Sequence, residues 1–314
     1  MDNSIFLNGH PIPLDLPPQL SLAVVISTIV ERVLNKQNTR IASVSSGGKD
    51  IFNPEELHKP WSSFGRIDCH YRQIAKTLKK AVITLNIGDL YCEMSEISHP
   101  TMKAYANKMD ADFIVINQVK VKMHPLHFEK WQMYDLLFEY DRIIFLDTDI
   151  LVRPDCPDLF GMVGLEEVGG FVESDYLNRS ISITGCQKLM GDVIGWRGEY
   201  LNSGVGVYSY RHKPIFERSE KGHVINFGEQ DMYNYRIKQL GFPVRPLPIE
   251  FNRMGLDNYE GHLPDRLSSF IIHYAGKGWT GISEGSEQRL AKVALMKKDA
   301  KELISRFGGR SCHR

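Results

Sequence analysis

The stretch Asp141-Arg-Ile-Ile-Phe-Leu-Asp-Thr-Asp-Ile-Leu-Val-Arg-Pro154 decides how this chain is read. Ile143 to Leu146 is a short apolar run rich in β-formers, the signature of a buried strand. It ends in two carboxylates at i and i+2, Asp147 and Asp149, and Pro154 then forbids a regular continuation. In an open α/β sheet, ligands bind just beyond the carboxyl ends of the strands. The triplet Asp147-Thr148-Asp149 contains no Lys or Arg to neutralise the acids, so it is a candidate cation site. Hard oxygen ligands suit Mg²⁺ or Mn²⁺, ions that also hold phosphates. The plain alternative is an Asp-rich turn that simply ends a strand.

The rest of the chain sets the frame. Its 314 residues suffice for one large domain with a smaller appendage. Lys plus Arg and Asp plus Glu both number 38. With no net charge, no bulk field favours nucleic acid or an anionic membrane. Five cysteines (Cys69, Cys92, Cys156, Cys186, Cys312), odd in number and without Cys-x-x-Cys spacing, fit free thiols in a reducing compartment. The greasiest run, Leu20 to Val30, is too short for a membrane span of about 20 residues, and no basic flank precedes it. The expectation is a soluble, cytoplasmic protein.

Residues 1–79 differ in grammar from the remainder of the chain. Ser4 to Leu7, an Asn8-Gly9 turn signal and Ile12 to Leu16 suggest a hairpin. Leu20 to Leu34 reads as a helix, Arg40 to Val44 as a strand before a turn at Ser45 to Gly48, and Gly65 to Ile74 as a last strand. That order allows a small ubiquitin-like α+β module of unknown role. From Ala81, strands and helices alternate, which implies an α/β layer with a mostly parallel sheet. Ala81 to Leu85, Phe113 to Ile116, Gly169 to Val172, Val205 to Tyr208 and Phe270 to Tyr274 read as strands. Helices are expected around Met102 to Met109, with Pro100 in the first turn, and at Lys130 to Tyr140, with Trp131, Tyr134, Leu137 and Phe138 on one face. Two more are expected at Gln230 to Leu240, closed by Gly241, and at Glu287 to Phe307.

Several motifs, in order over roughly residues 81–280, resemble the retaining glycosyltransferases of the glycogenin and bacterial galactosyltransferase type (family 8), which have the GT-A fold. They are Thr84-Leu-Asn-Ile-Gly-Asp-Leu-Tyr91, Lys130, Asp147-Thr-Asp149, Gly170-Phe-Val-Glu-Ser-Asp175, Leu201-Asn-Ser-Gly-Val-Gly-Val-Tyr208, Gly228-Glu-Gln-Asp-Met-Tyr-Asn234 and His273-Tyr-Ala-Gly-Lys-Gly-Trp279. The resemblance implies a GT-A domain over 80–281, a Rossmann-like mixed sheet, followed by a C-terminal helix and basic tail over 282–314.

The resemblance also implies a division of roles. Thr84, Leu85, Asn86 and Tyr91 would read and stack a uracil base. Lys130 would reach the diphosphate or donor sugar, and Asp147, Thr148 and Asp149 would form the metal motif. His273 would be the third protein ligand, an imidazole that favours Mn²⁺ over Mg²⁺. Gly276 and Lys277 would clamp the diphosphate. Asp175, with Glu173 as rival, would bind donor hydroxyls, and Asn202 would face the sugar. Gln230 would stabilise an oxocarbenium-like transition state during front-face attack by the acceptor, with Asp231 positioning the sugar or helping the acceptor. The implied donor is UDP-glucose or UDP-galactose. The acceptor is left open between a saccharide, a lipid-linked saccharide and a protein, as is oligomeric state. Glu229 stands where the family has Asp, and Gly278 where Pro is common. The rival readings are an inactive UDP-sugar-binding relic and a phosphohydrolase using Asp147 as nucleophile.

Overall fold

The computed structural model describes strands at residues 5–7, 10–12, 44–46 and 49–52, and then residues 78–218, 227–256, 259–282 and 285–308. The chain divides into two compact units, 1–79 and 80–314. In the first, β1 (Ile5–Leu7) pairs antiparallel with β2 (His10–Ile12), the arrangement the Asn8-Gly9 signal suggested, although the second strand begins earlier. A second antiparallel pair joins β3 (Val44–Ser46) to β4 (Lys49–Phe52), so Ser45 and Ser46 are strand where a turn was expected. The helix expected at 20–34 and the strand expected at 65–74 lie outside the described residues.

The second unit is built on a six-stranded sheet. Its strands are β5 (Lys80–Leu85), β6 (Asp112–Ile116), β7 (Arg142–Leu146), β9 (Val168–Val172), β10 (Leu201–Ser209) and β11 (Val244–Pro246), in the order β11-β9-β10-β7-β5-β6. β6, β5 and β7 run parallel, as do β9 and β11, while β10 is antiparallel to both its neighbours, β7 and β9. This is the mixed, mostly parallel α/β sheet that the GT-A fold calls for.

Both faces of the sheet are covered, which is why its central strands are continuously apolar. Side chains alternate across it. Ala81, Ile83, Ile143, Phe145 and Tyr208 join one core with Trp131, Leu137 of α2 (Met133–Glu139) and Met232, Tyr233 and Ile237 of α5 (Glu229–Gln239). Val82, Ile144, Leu146, Val205 and Val207 join the other with Met102, Tyr105 and Ala106 of α1 (Cys92–Lys108). Two shorter helices, α3 (Leu159–Met162) and α4 (Ser180–Met190), lie in the connections before and after β9.

Two expectations need correcting. α1 begins at Cys92, so Pro100 sits inside the helix rather than in its first turn. The segment expected as one helix from Lys130 is a 3-10 turn over Leu126–Gln132 that passes into α2. There Trp131 and Leu137 are buried while Phe138 is exposed, so a single apolar face is not what forms. The C-terminal helix α6 (Gly285–Phe307), expected from Glu287, packs Val293, Met296 and Leu303 against Met94, Leu151, Ile272 and Tyr274.

Candidate active site

The two acids sit where the chain turns from β7 into a short strand, β8 (Ile150–Val152). β8 leaves the main sheet and pairs antiparallel with β12 (Ile271–His273), in a register that sets His273 opposite Ile150. Tyr274 N–H donates to the Asp149 carbonyl at 2.9 Å, and Asp147 N–H donates to the Gly204 carbonyl of β10 at 2.8 Å. The Thr148 hydroxyl donates to the Leu85 carbonyl at the end of β5. The triplet is thereby pinned at the carboxyl ends of β5 and β7, the place where open α/β sheets bind ligands.

Asp147, Asp149 and His273 each offer a ligand atom, and all three lie within 4.8 Å of one another. His273 Nε2 is 3.3 Å from Asp149 Oδ1 and 3.8 Å from Asp147 Oδ2. The other ring nitrogen, Nδ1, is 2.8 Å from Asn252 Oδ1. Asn252 Nδ2 in turn donates to Asn202 Oδ1 at 2.9 Å, so Asn252 Oδ1 is the acceptor and Nδ1 carries a proton. That fixes the tautomer, as hydrogen-bond partners of metal-bound histidines do. A bare Nε2 lone pair facing two carboxylates is repulsive unless a proton or cation lies between them. The donor set therefore fits a divalent ion with oxygen and imidazole ligands. Gly204 lies over this cluster, since a Cβ there would stand 2.3 Å from His273 Cε1 and 2.8 Å from Asp147 Oδ2.

Cations back the acids. Lys130 Nζ is 3.0 Å from Asp147 Oδ1 and 2.6 Å from Glu229 Oε1, and donates to Ser203 Oγ at 3.2 Å. Burial alone would lower the Lys130 pKa, but the Asp147 and Glu229 carboxylates overrule it and hold it above the ordinary lysine value. Lys292 of α6 places Nζ 3.7 Å from Asp149 Oδ2. Burial would raise the Asp149 carboxyl, yet His273, when a proton occupies Nε2, and the Lys292 charge keep it well below the usual carboxylate range.

Beside the triad lies a second cluster. Gln230 Oε1 accepts from Ser203 N–H at 3.0 Å, and Gln230 Nε2 donates to Glu173 Oε2 at 3.0 Å. Asn202 Nδ2 lies 3.3 Å from both Glu173 Oε1 and Gln230 Oε1. Arg179 grips Glu173 with two nitrogens, at 2.8 and 2.9 Å. Asn202 belongs to both clusters, because its Oδ1 accepts from Asn252 while its amide nitrogen meets Gln230.

The structure sorts the remaining candidates. Of the two acids after β9, Glu173 is buried within the cluster and Asp175 is exposed outside it. Asp231 is fully buried, with one oxygen accepting from Tyr200 OH at 2.5 Å and the other from Phe227 N–H at 2.7 Å. It braces the start of α5. Thr84 is buried at the end of β5, with Leu85 half-buried after it; Asn86 comes next, its N–H donating to the Ile116 carbonyl at 2.9 Å and its Nδ2 to Ser95 Oγ at 3.2 Å. Tyr91 closes a 3-10 turn before α1 and is 39% exposed. Burial, with the Asp149 and Asp147 charges, pushes its phenol pKa up. Gly276, at φ +54°, and Lys277 form an exposed turn after β12. Behind that turn Gly278 and Gly255 cross backbone to backbone: a Cβ on Gly278 would stand 2.0 Å from the Gly255 carbonyl oxygen. A Gly rather than the more common Pro at 278 is explained by that crossing. Sequence reading did not single out Tyr200 or Lys292, which reach the site across long chain separations, or Arg179, which grips Glu173 from the following turn.

The profile of glycosyl transferase family 8 matches residues 83–283. No curated protein sequence matches the chain. Among solved structures, the glycosyltransferase GlyE of Streptococcus pneumoniae TIGR4 aligns with 18% identity and a TM-score of 0.45, covering 73% of this chain and 64% of that one. The bifunctional glycosyltransferase WbbM aligns with 15% identity and a TM-score of 0.46 over 74% of this chain and 52% of its own. The galactosyltransferase LgtC, in complex with donor and acceptor sugar analogues, aligns with 16% identity and a TM-score of 0.41 over 71% and 95%. The chain thus spans about half to two thirds of the first two proteins.

Proposed function

The chain belongs to glycosyl transferase family 8, and on that premise we propose that it is a metal-dependent, retaining hexosyltransferase using UDP-glucose or UDP-galactose. The observation that carries this reading is the convergence of Asp147, Asp149 and His273 beside the Gln230, Asn202 and Glu173 cluster.

Asp147, Asp149 and His273 would hold Mn²⁺, or Mg²⁺ in its place. When bound, the ion supplies Lewis-acid stabilisation of the charge growing on a UDP leaving group. The chain's own residues do the rest. Lys130 holds Asp147 in place through its ion pair, and Asn252 holds the His273 ring so that Nε2 faces the acids. Leu85, Asn86 and Tyr91 stand at the strand end where a base would lie, and Tyr91 offers a ring face for stacking. Gly276 and Lys277 form the turn that would close over the diphosphate. Gln230, braced by Glu173 and Ser203, presents amide dipoles preorganised for an electron-poor anomeric carbon. The bond from that carbon to the UDP oxygen breaks as a bond to the acceptor hydroxyl oxygen forms on the same face, and the acceptor proton leaves with the UDP.

The acceptor is a saccharide, a lipid-linked saccharide or a protein side chain, reached over the loops at 155–200 and 250–268. No helix among the described residues is long and apolar enough to cross a membrane. The buried free thiols Cys156 and Cys186, both pushed up to about 12 by burial, suit the reducing cytoplasm we propose.

Release of UDP from a panel of UDP-sugars, with Mn²⁺, Mg²⁺ or EDTA, tests this reading in wild type and in Asp149→Ala. Metal-dependent release from one donor, abolished in the variant, is the expected result. Failure of UDP to bind in the presence of Mn²⁺ would refute it.

A further inference from the structure

The C-terminal helix α6 is more than packing. Asp299, fully buried, accepts from Arg266 at 2.7 and 3.0 Å and from Tyr274 OH at 2.8 Å. Tyr274 directly succeeds the ligand His273 and donates its N–H to the Asp149 carbonyl. The helix is therefore clamped to the very strand that completes the metal triad. One face of α6 then turns a cation toward the acids: Lys292 is almost wholly buried, with Nζ 3.7 Å from Asp149 Oδ2.

Charge balance gives Lys292 a role. Asp147 and Glu229 share Lys130, and Glu173 is neutralised by Arg179. Asp149 is offset by Lys292 alone among the lysines and arginines paired with it. The cluster thus carries about one uncompensated negative charge. A divalent ion would reverse that sign and leave a surplus to attract an anion. Lysine is a strongly hydrated point charge on a flexible stem, suited to transfer between a carboxylate and a phosphate.

Resting on the proposed function, we propose that Lys292 is a second cationic clamp on the donor diphosphate: it pairs with Asp149 in the metal-free protein and turns to the phosphates once metal and nucleotide are bound. The exposed Lys277 and the buried Lys292 then hold the diphosphate from two sides, one from the turn after β12 and one from α6.

The two halves of this role have opposite signs, which makes the test sharp. In Lys292→Met the apolar stem is kept and the charge removed. Titration of the apoprotein with Mn²⁺ alone is expected to show tighter metal binding, because a like charge beside Asp149 is gone. Titration of the Mn²⁺-saturated protein with UDP is expected to show affinity lower by about 5- to 10-fold, the low end of what a unit charge contributes at such range in a partly solvated site. Lys292→Arg restores UDP affinity. A loss of both affinities marks a merely structural residue and overturns the proposal, as does no change in either. If wild type itself shows no Mn²⁺-dependent UDP binding, the donor reading falls and this clamp with it; if wild type binds UDP and Lys292→Met matches it, the clamp alone falls.

Discussion

Gly204→Ala is the most stringent perturbation of the triad, because it adds one methyl group and removes nothing. The new Cβ would stand 2.3 Å from His273 Cε1, 2.8 Å from Asp147 Oδ2 and 3.0 Å from Asn202 Oδ1. Carbon atoms in contact prefer about 3.5–4.0 Å, so the His273 ring must retreat by roughly an ångström or more. It cannot do so freely. Cε1 lies between the nitrogen held by Asn252 and the nitrogen facing the acids, so any retreat breaks one alignment or the other. β12 is also fixed by its pairing with β8. Metal sites tolerate ligand errors of only about 0.2 Å. Loss of a hydrogen-bond partner behind a ligand alone typically costs about 10–100-fold in metal affinity, and displacing a ligand should reach at least the top of that range. Overpacking by one methyl costs about 1–3 kcal/mol, which leaves a folded protein to measure. The assay is calorimetric or EPR titration with Mn²⁺, alongside thermal unfolding, with Gly198→Ala as control because a Cβ there meets nothing within 4 Å. A folded Gly204→Ala that binds Mn²⁺ like wild type would refute the triad as the metal site.

The same geometry sets four further outcomes. Asn252→Ala frees the His273 ring and should weaken Mn²⁺ binding by about 10–100-fold with little change in fold, read by the same titration. Glu173→Gln should lower UDP-sugar turnover with little effect on UDP affinity, whereas Asp175→Asn should leave both near wild type; equal effects would show that the buried cluster does not distinguish the two acids. Gly278→Ala drives a Cβ into the Gly255 backbone and should lower the melting temperature, measured by calorimetry; an unchanged value would mean the crossing is loose. Burial and the Asp231 charge raise the Tyr200 phenol above its ordinary value of 10.0. Because the folded pKa exceeds the unfolded one, this contribution is full below about pH 10 and is lost as pH climbs through the raised folded value. Tyr200→Phe should therefore flatten the alkaline limb of the stability profile.

Much of the donor half was legible because its chemistry is written in short, local patterns. A strand must be apolar when both faces are buried, so Ile143 to Leu146 was legible as one. The paired acids at its end marked a candidate cation site, with an Asp-rich turn as the plain alternative, and the other motifs in order weighed against that turn. The choice between Glu173 and Asp175 was not legible. Two acids separated by a single residue differ in orientation, and only the 3-10 turn over Glu173–Asp175 decides which one points inward. Asp231 likewise has the composition of a catalytic acid, yet Tyr200 and the Phe227 N–H consume both its oxygens.

The sequence by itself determined the α/β class, the strand carrying the paired acids, and residue types that suit a cation. Periodicity and strand-end chemistry are local, so they survive without coordinates. Only the tertiary structure decided what completes the site. β8 leaves the main sheet to pair with β12, which carries His273 to Asp149 from far along the chain. Asn252 reaches the same ring from a loop, and Lys292 reaches Asp149 from the C-terminal helix. The motif at His273 offered that residue as a ligand, but the contacts of Asn252 and Lys292 have no local signature, because a side chain's partner across a fold depends on packing that no short stretch of sequence encodes.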